Sequence, residues 1–109
     1  MKWVTHILWG VAVLTLFRVD FAAAAAAAAF HTVATDVLGH SGLRRSKYHD
    51  WISIAVAAAI AFYLGNPAYL TLGVLHIFLD WASPGKLAVN WPYNVLWSIP
   101  PSLILMYIY

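Results

Sequence analysis

Charge is so scarce in this chain, and so unevenly placed, that its distribution nearly dictates the architecture. Only 9% of the 109 residues are Asp, Glu, Lys or Arg, while 63% are hydrophobic; soluble domains are usually about a quarter charged. A chain so composed cannot cover a water-facing surface, and one of this length has room for a single domain. Apolar stretches at about 3–17, 21–38, 50–64, 67–82 and 95–109 are set apart by short polar connections. They predict an all-α fold, a multi-pass transmembrane bundle of four to five short helices forming one membrane-embedded domain over residues 1–109. At roughly 15 to 18 residues each, the segments fall somewhat short of the ~20 of a full span, and short helices span by thinning the bilayer or drawing flanking residues toward it.

The boundaries follow from local chemistry. Arg18-Val19-Asp20 is a hydrophilic hinge between segments one and two, and eight consecutive alanines at 22–29 dominate segment two. Alanine has the best intrinsic helix propensity, and its small side chain lets membrane helices approach closely, so the run reads as a packing surface rather than a low-complexity linker. Gly39 suits a helix C′ position, Gly65 stops segment three, and Asn66-Pro67 offers an N-cap followed by proline at the first helical position. Ser83-Pro84-Gly85 ends segment four. A non-helical connection is expected through Asn90-Trp91-Pro92-Tyr93-Asn94, and Pro100-Pro101 is expected to kink or split segment five. Lys2, an apolar stretch and Ala-x-Ala patterns imitate a signal peptide, but Arg18 and Asp20 sit where such a peptide is uncharged and small.

The partner that this composition implies is the lipid bilayer. Trp3, Trp9, Trp51, Trp81, Trp91, Tyr93 and Trp97 are expected near helix ends, where aromatic rings anchor at the lipid–water boundary. Lys2, Arg44, Arg45, Lys47 and Lys86 fall in alternate connections, with only Arg18 in the opposite set. The positive-inside rule therefore puts the N-terminus, the 39–49 loop and the 83–94 loop in the cytoplasm. Six basic residues and a net charge of +2 are too few for a phosphate-tracking surface, so no nucleic-acid partner is expected. With no cysteine, disulfides, thiolate zinc sites and cysteine nucleophiles are all excluded.

Within segment four, His76 and Asp80 interrupt an otherwise apolar run. Four residues apart, they share one face of a helix, about 6 Å apart along its axis, where an imidazole and a carboxylate can share a metal ion. A carboxylate left alone in a membrane helix costs a few kcal/mol. With the N-terminus inside, His6, Asp36, His40, His49, Asp50, His76 and Asp80 all come to the same membrane face. His40, His49, His76 and Asp80 form the expected core of ligands. His6 stands at its edge as a further ligand or support, Asp36 as a catalytic carboxylate or ligand, and Asp50 as a catalytic or supporting carboxylate. Plainer readings exist: Asp50 as the N-cap of helix three, Asp36 paired with Arg44 or Arg45, His6 as an interfacial side chain, and His40 and His49 as solvent-facing loop residues. His31, about 140° round the helix from Asp36 and deeper, reads as an interhelical hydrogen-bonding residue. Nitrogen and oxygen ligands without sulfur suit a divalent ion, zinc first, with manganese and iron behind it, and an open position beside such an ion makes a hydrolytic site. Arg44 and Arg45 would hold an anionic substrate or, more plainly, set topology and touch lipid headgroups.

Thr5-His6, Asp36-x3-His40, Arg45-Ser46-x2-His49-Asp50, His76-x3-Asp80, then Ser83-Pro84-Gly85 and Trp91-Pro92, resemble in order and spacing the inner-membrane metal-dependent hydrolases related to the LexA-binding membrane protein family. The resemblance runs from residue 5 to about residue 94 and is nearest to the small archaeal members. It implies a multi-pass helical membrane protein with hydrolase activity. The family's Pro-Asp-x-Asp-His element is reduced here to Asp36-Val37-Leu38-Gly39-His40, with a single Asp. Its Gly-His-Arg-x-x-Thr-His-Ser element becomes Arg44-Arg45-Ser46-Lys47-Tyr48-His49-Asp50, with Tyr48 before the His and Asp50 in place of Ser. The function expected is a membrane-bound, metal-dependent hydrolase acting on a small-molecule phosphoester or a lipid-like substrate. The alternatives are a non-enzymatic membrane or envelope scaffold on the same fold, and an ion or proton pathway.

Overall fold

The computed structural model describes residues 2–41, 44–45, 49–83 and 85–109, with backbone alone at 39–41, 44–45, 49 and 85. Its α-helices are α1 (Trp3–Leu16), α2 (Phe21–Gly39), α3 (His49–Leu64), α4 (Thr71–Ala82) and α5 (Trp91–Ile108), with short 3-10 helices at Pro67–Leu70 and Gly85–Val89. The only strand pairing among the described residues is a two-residue antiparallel one between α2 and α3, with His40 opposite Arg45 and Ser41 opposite Arg44. The fold is otherwise all-helical. Among the described residues one helical stretch, Phe21–Leu38, is long and apolar enough to cross a bilayer by length and composition; Trp3–Leu16 and Asp50–Leu64 are apolar but shorter, so the expected multi-pass bundle is matched in its helices and not in its spans.

Two of the connections show how the helices between them end and start. After α1 the chain turns through Arg18 at φ 65°, and the Val19 amide bonds back to the Leu14 carbonyl. Asp20 then caps α2, its Oδ2 accepting from the Ala22 and Ala23 amides at 3.1 and 3.4 Å. Gly65 adopts φ 69° after α3, and Asn66 Oδ1 accepts from the Ala68 amide at 2.9 Å, as the Asn-Pro pair predicts.

Two expectations for the fifth segment are corrected. Asn90-Trp91-Pro92-Tyr93-Asn94 is not a connection: Asn90 Oδ1 accepts from the Tyr93 amide at 2.9 Å, Pro92 occupies the first helical turn, and α5 starts at Trp91. The pair repeats the Asn-Pro start logic with one residue inserted. Nor do Pro100 and Pro101 split the helix, which continues to Ile108. A proline frees the carbonyl four residues earlier, and the one freed by Pro101, Trp97 C=O, accepts from Trp9 Nε1 at 2.8 Å. Trp9 and Trp97 therefore face each other in mid-helix, ring centroids 6.2 Å apart, rather than anchoring helix ends.

The helix α1 packs against α2, α4 and α5, and α3 packs against α2 and α4. The apolar core is small-grained: Ala24, Ala27, Ala28, Ala57 and Ala61 join Val11, Leu14, Ile60, Tyr69 and Leu72. Gly10 meets α2 so closely that a Cβ there would lie 2.8 Å from that of Ala28. Toward the starts of α1, α3 and α5 and the ends of α2 and α4, the interior turns polar, with Thr5, His6, His31, Thr32, Thr35, Ser53, His76 and Asn94 all buried. The outer surface is the reverse, with Phe62 and Tyr107 each 92% exposed and Trp51, Trp81 and Met106 also largely exposed.

Candidate metal centre

Helix α4 presents His76 and Asp80 on one face, as i, i+4 geometry requires, with Nε2 of His76 3.4 Å from Oδ2 of Asp80. His6, one turn into α1, completes the pair from the opposite side: its Nε2 lies 3.2 Å from Asp80 Oδ1, and its ring stacks on that of His76 with centroids 4.2 Å apart at 18°. Near the end of α2, Asp36 sets Oδ1 3.5 Å from His76 Nε2, while its Oδ2 accepts from the Trp3 indole. The imidazoles form a buried floor and the carboxylates a rim, the side chains of Asp80 and Asp36 being 19% and 22% exposed.

Neighbouring hydrogen bonds hold this arrangement. Asn94 Oδ1 accepts from the Lys2 amide and from Thr5 Oγ1, both at 2.9 Å, while its Nδ2 donates to the Ala88 and Asn90 carbonyls. One saturated amide thus pins the start of α1, and with it His6, to α5. His31 Nε2 donates to the Ser53 carbonyl at 2.9 Å, and Ser53 Oγ donates to the Gly73 carbonyl at 3.0 Å, linking α2, α3 and α4. Because a carbonyl only accepts, His31 carries its proton on Nε2. Its ring also stands edge-on to His76 with centroids 5.5 Å apart.

The residues fit a divalent cation. One ligand atom each from His6, His76 and Asp80 lie within 4.8 Å of one another. Two ligand atoms about 2.0–2.1 Å from a tetrahedral zinc stand about 3.3–3.4 Å apart. The three imidazole–carboxylate spacings, 3.2, 3.4 and 3.5 Å, are of that order, the first two reaching different oxygens of Asp80 and the third Asp36. The two carboxylates also bring the negative charge that a divalent ion balances. Nδ1 of His6 is buried with no hydrogen-bond partner.

Of the residues expected at the site, His6, Asp36, His76 and Asp80 come together, with His6 at the centre rather than the edge. Asp50 is exposed in the first turn of α3, outside the group, where a carboxylate favours the helix's positive end. The side chains of His40, His49, Arg44 and Arg45 lie outside the described residues. His31 makes the interhelical hydrogen bond expected of it. Trp3 and Asn94 were not legible as site residues, and Thr5 entered only as the neighbour of His6 in the resemblance; the one signal for Trp3 was that it lies within one helical turn of His6. Comparison with protein-family models, with curated proteins and with solved structures finds no match to this chain.

Proposed function

We propose that the chain is a multi-pass membrane protein that binds one divalent cation through His6, His76 and Asp80, with Asp36 beside it, and hydrolyses a phosphoester or lipid-like substrate at its cytoplasmic face. The observation that carries the proposal is the set of imidazole–carboxylate spacings at 3.2–3.5 Å, drawn from three separate helices. Inverted polarity supports the bilayer as partner: buried Thr, Ser, Asn and His are surrounded by exposed Phe, Trp, Tyr and Leu, an arrangement unfavourable in water and favourable in lipid. Trp3, Trp51, Trp81 and Trp91 stand exposed at the helix ends nearest the polar group, where indoles suit an interface, and Lys2 Nζ lies 4.2 Å from the Trp91 ring centre.

A bound cation, zinc first among zinc, manganese and iron, supplies Lewis acidity to a water and to a phosphoryl or carbonyl oxygen. The chain's residues supply the remainder. Asp80, flanked by both imidazoles, would be the carboxylate ligand. Asp36, 3.5 Å from His76 and oriented by the Trp3 indole, would accept a proton from the attacking water as general base. The partly exposed carboxylate rim is the side open to substrate. The resemblance to the LexA-related inner-membrane hydrolases points the same way.

The test is metal analysis of the detergent-purified full chain before and after chelation. About one equivalent of zinc per chain is expected, restored after chelation and raising thermal stability by about 2.7 kcal/mol at a hundredfold excess over Kd. His6→Ala, His76→Ala and Asp80→Ala should each abolish both effects. A wild-type chain that binds no divalent metal sinks the proposal. A metal-loaded chain inert toward panels of phosphoesters and lipids would leave a metal-pinned scaffold.

A further inference from the structure

A small cavity adjoins the imidazole floor between α1, α2 and α4. Its volume is about 10 Å3, and His6, His31, Thr32 and His76 line it together with Gly10 and three leucines. A space of this size admits one water molecule when its walls are polar enough. His6 is 5% exposed, and its Nδ1 has no hydrogen-bond partner. Thr32, 3% exposed, lines the same cavity, and its hydroxyl can accept a hydrogen bond there. Buried polar groups without partners are rare and call for a specific explanation.

The chemistry of the neighbouring centre supplies one. An imidazole that faces a cation through Nε2 must carry its proton on Nδ1, and such ligands almost always donate that proton to an acceptor that fixes ring and tautomer. No protein atom accepts it at His6. Water has two lone pairs and two protons, and so satisfies an N–H donor and a hydroxyl acceptor at once.

We propose that this cavity is a binding site for a single ordered water that accepts the Nδ1–H of His6 and donates to the Thr32 hydroxyl, making Thr32 a positioning residue for a metal ligand. The inference rests on the metal-centre reading for its consequence, though not for the cavity or for the unsatisfied Nδ1 of His6. Thr32 touches no ligand in this scheme and acts only through the water.

The experiment uses the full chain in detergent micelles, with 15N-labelled histidine and zinc alone as probe. Thr32→Val exchanges the hydroxyl for a methyl at nearly constant shape. It should weaken zinc binding by about 10- to 100-fold and shift the His6 ring nitrogen resonances, while Thr32→Ser keeps both near wild type. The wild-type spectrum should show the Nδ1–H tautomer at His6 and magnetisation transfer from a long-lived water to the His6 ring. If Thr32→Val binds zinc as tightly as wild type with unmoved His6 resonances, the proposal is overturned. Should the wild type bind no zinc, the metal reading fails alone, and water transfer to His6 in the metal-free chain decides this one: its absence overturns it. If Thr32→Val does not fold, the wild-type and Thr32→Ser spectra decide in the same way.

Discussion

At the scale of single residues, Arg18 shows the chain accepting a local cost. Its φ of 65° puts a long side chain in the left-handed region, at the helix-end position where glycine usually stands. The Val19 amide still reaches the Leu14 carbonyl at 3.0 Å, and Val19 is buried against the core, so tertiary packing holds the turn against its intrinsic preference. Replacing Arg18 with Gly should therefore stabilise the fold by about 1 kcal/mol, read as a higher unfolding midpoint in detergent; no change or a loss would mean that the arginine makes a compensating contact. The site residues were legible to different degrees for a related reason. His76 and Asp80 could be paired from spacing alone, because one helix sets their distance. His6 could not be given its central place, because its contact with Asp80 spans 74 positions of chain and depends on how α1 lies against α4. Asn94 was hidden more completely: it reads as one more turn residue until the Lys2 amide and the Thr5 hydroxyl converge on it.

At the scale of elements, helix ends were readable where a cap or breaker acts within a few residues, as at Asp20, Gly65 and Asn66-Pro67. The prolines of α5 were not, since their outcome was decided by another helix. Trp9 donates to the carbonyl that Pro101 leaves free, so the two residues form one unit across the α1–α5 contact. Trp9→Phe should cost about 1–3 kcal/mol by leaving that carbonyl unsatisfied. The cost should shrink in a Pro101→Ala background, where the residue 101 amide can take the carbonyl back. A double-mutant cycle on unfolding free energy measures the coupling, and strict additivity would show that the indole bond carries no stability. The alanine run has the opposite character. Its helicity is plain from composition, but eight identical residues contain no periodicity. That Ala24, Ala27 and Ala28 face inward is decided by what meets them, above all Gly10 on α1.

At the scale of the whole molecule, polarity is arranged with the hydrogen-bonding residues inside and the large apolar ones outside. If the bilayer is the solvent, the two ends of the bundle lie on opposite sides of it. The chain has no cysteine, so a single introduced thiol reports cleanly. Lys86→Cys, beside the polar end, should be labelled by membrane-impermeant maleimide only from the cytoplasmic side, and Leu64→Cys, exposed at the far end of α3, only from the opposite side. Labelling of both from the same side would exclude the proposed passage through the membrane. Residue order alone settled the helical class, most helix limits and the single-helix pair His76 and Asp80, because propensity, capping and i, i+4 spacing act over a few residues. Only the packed structure decided which imidazole faces Asp80, which alanines form the core and how a proline's stranded carbonyl is satisfied. Each of those depends on groups from different helices meeting in space, and no local pattern encodes the angle at which two helices cross.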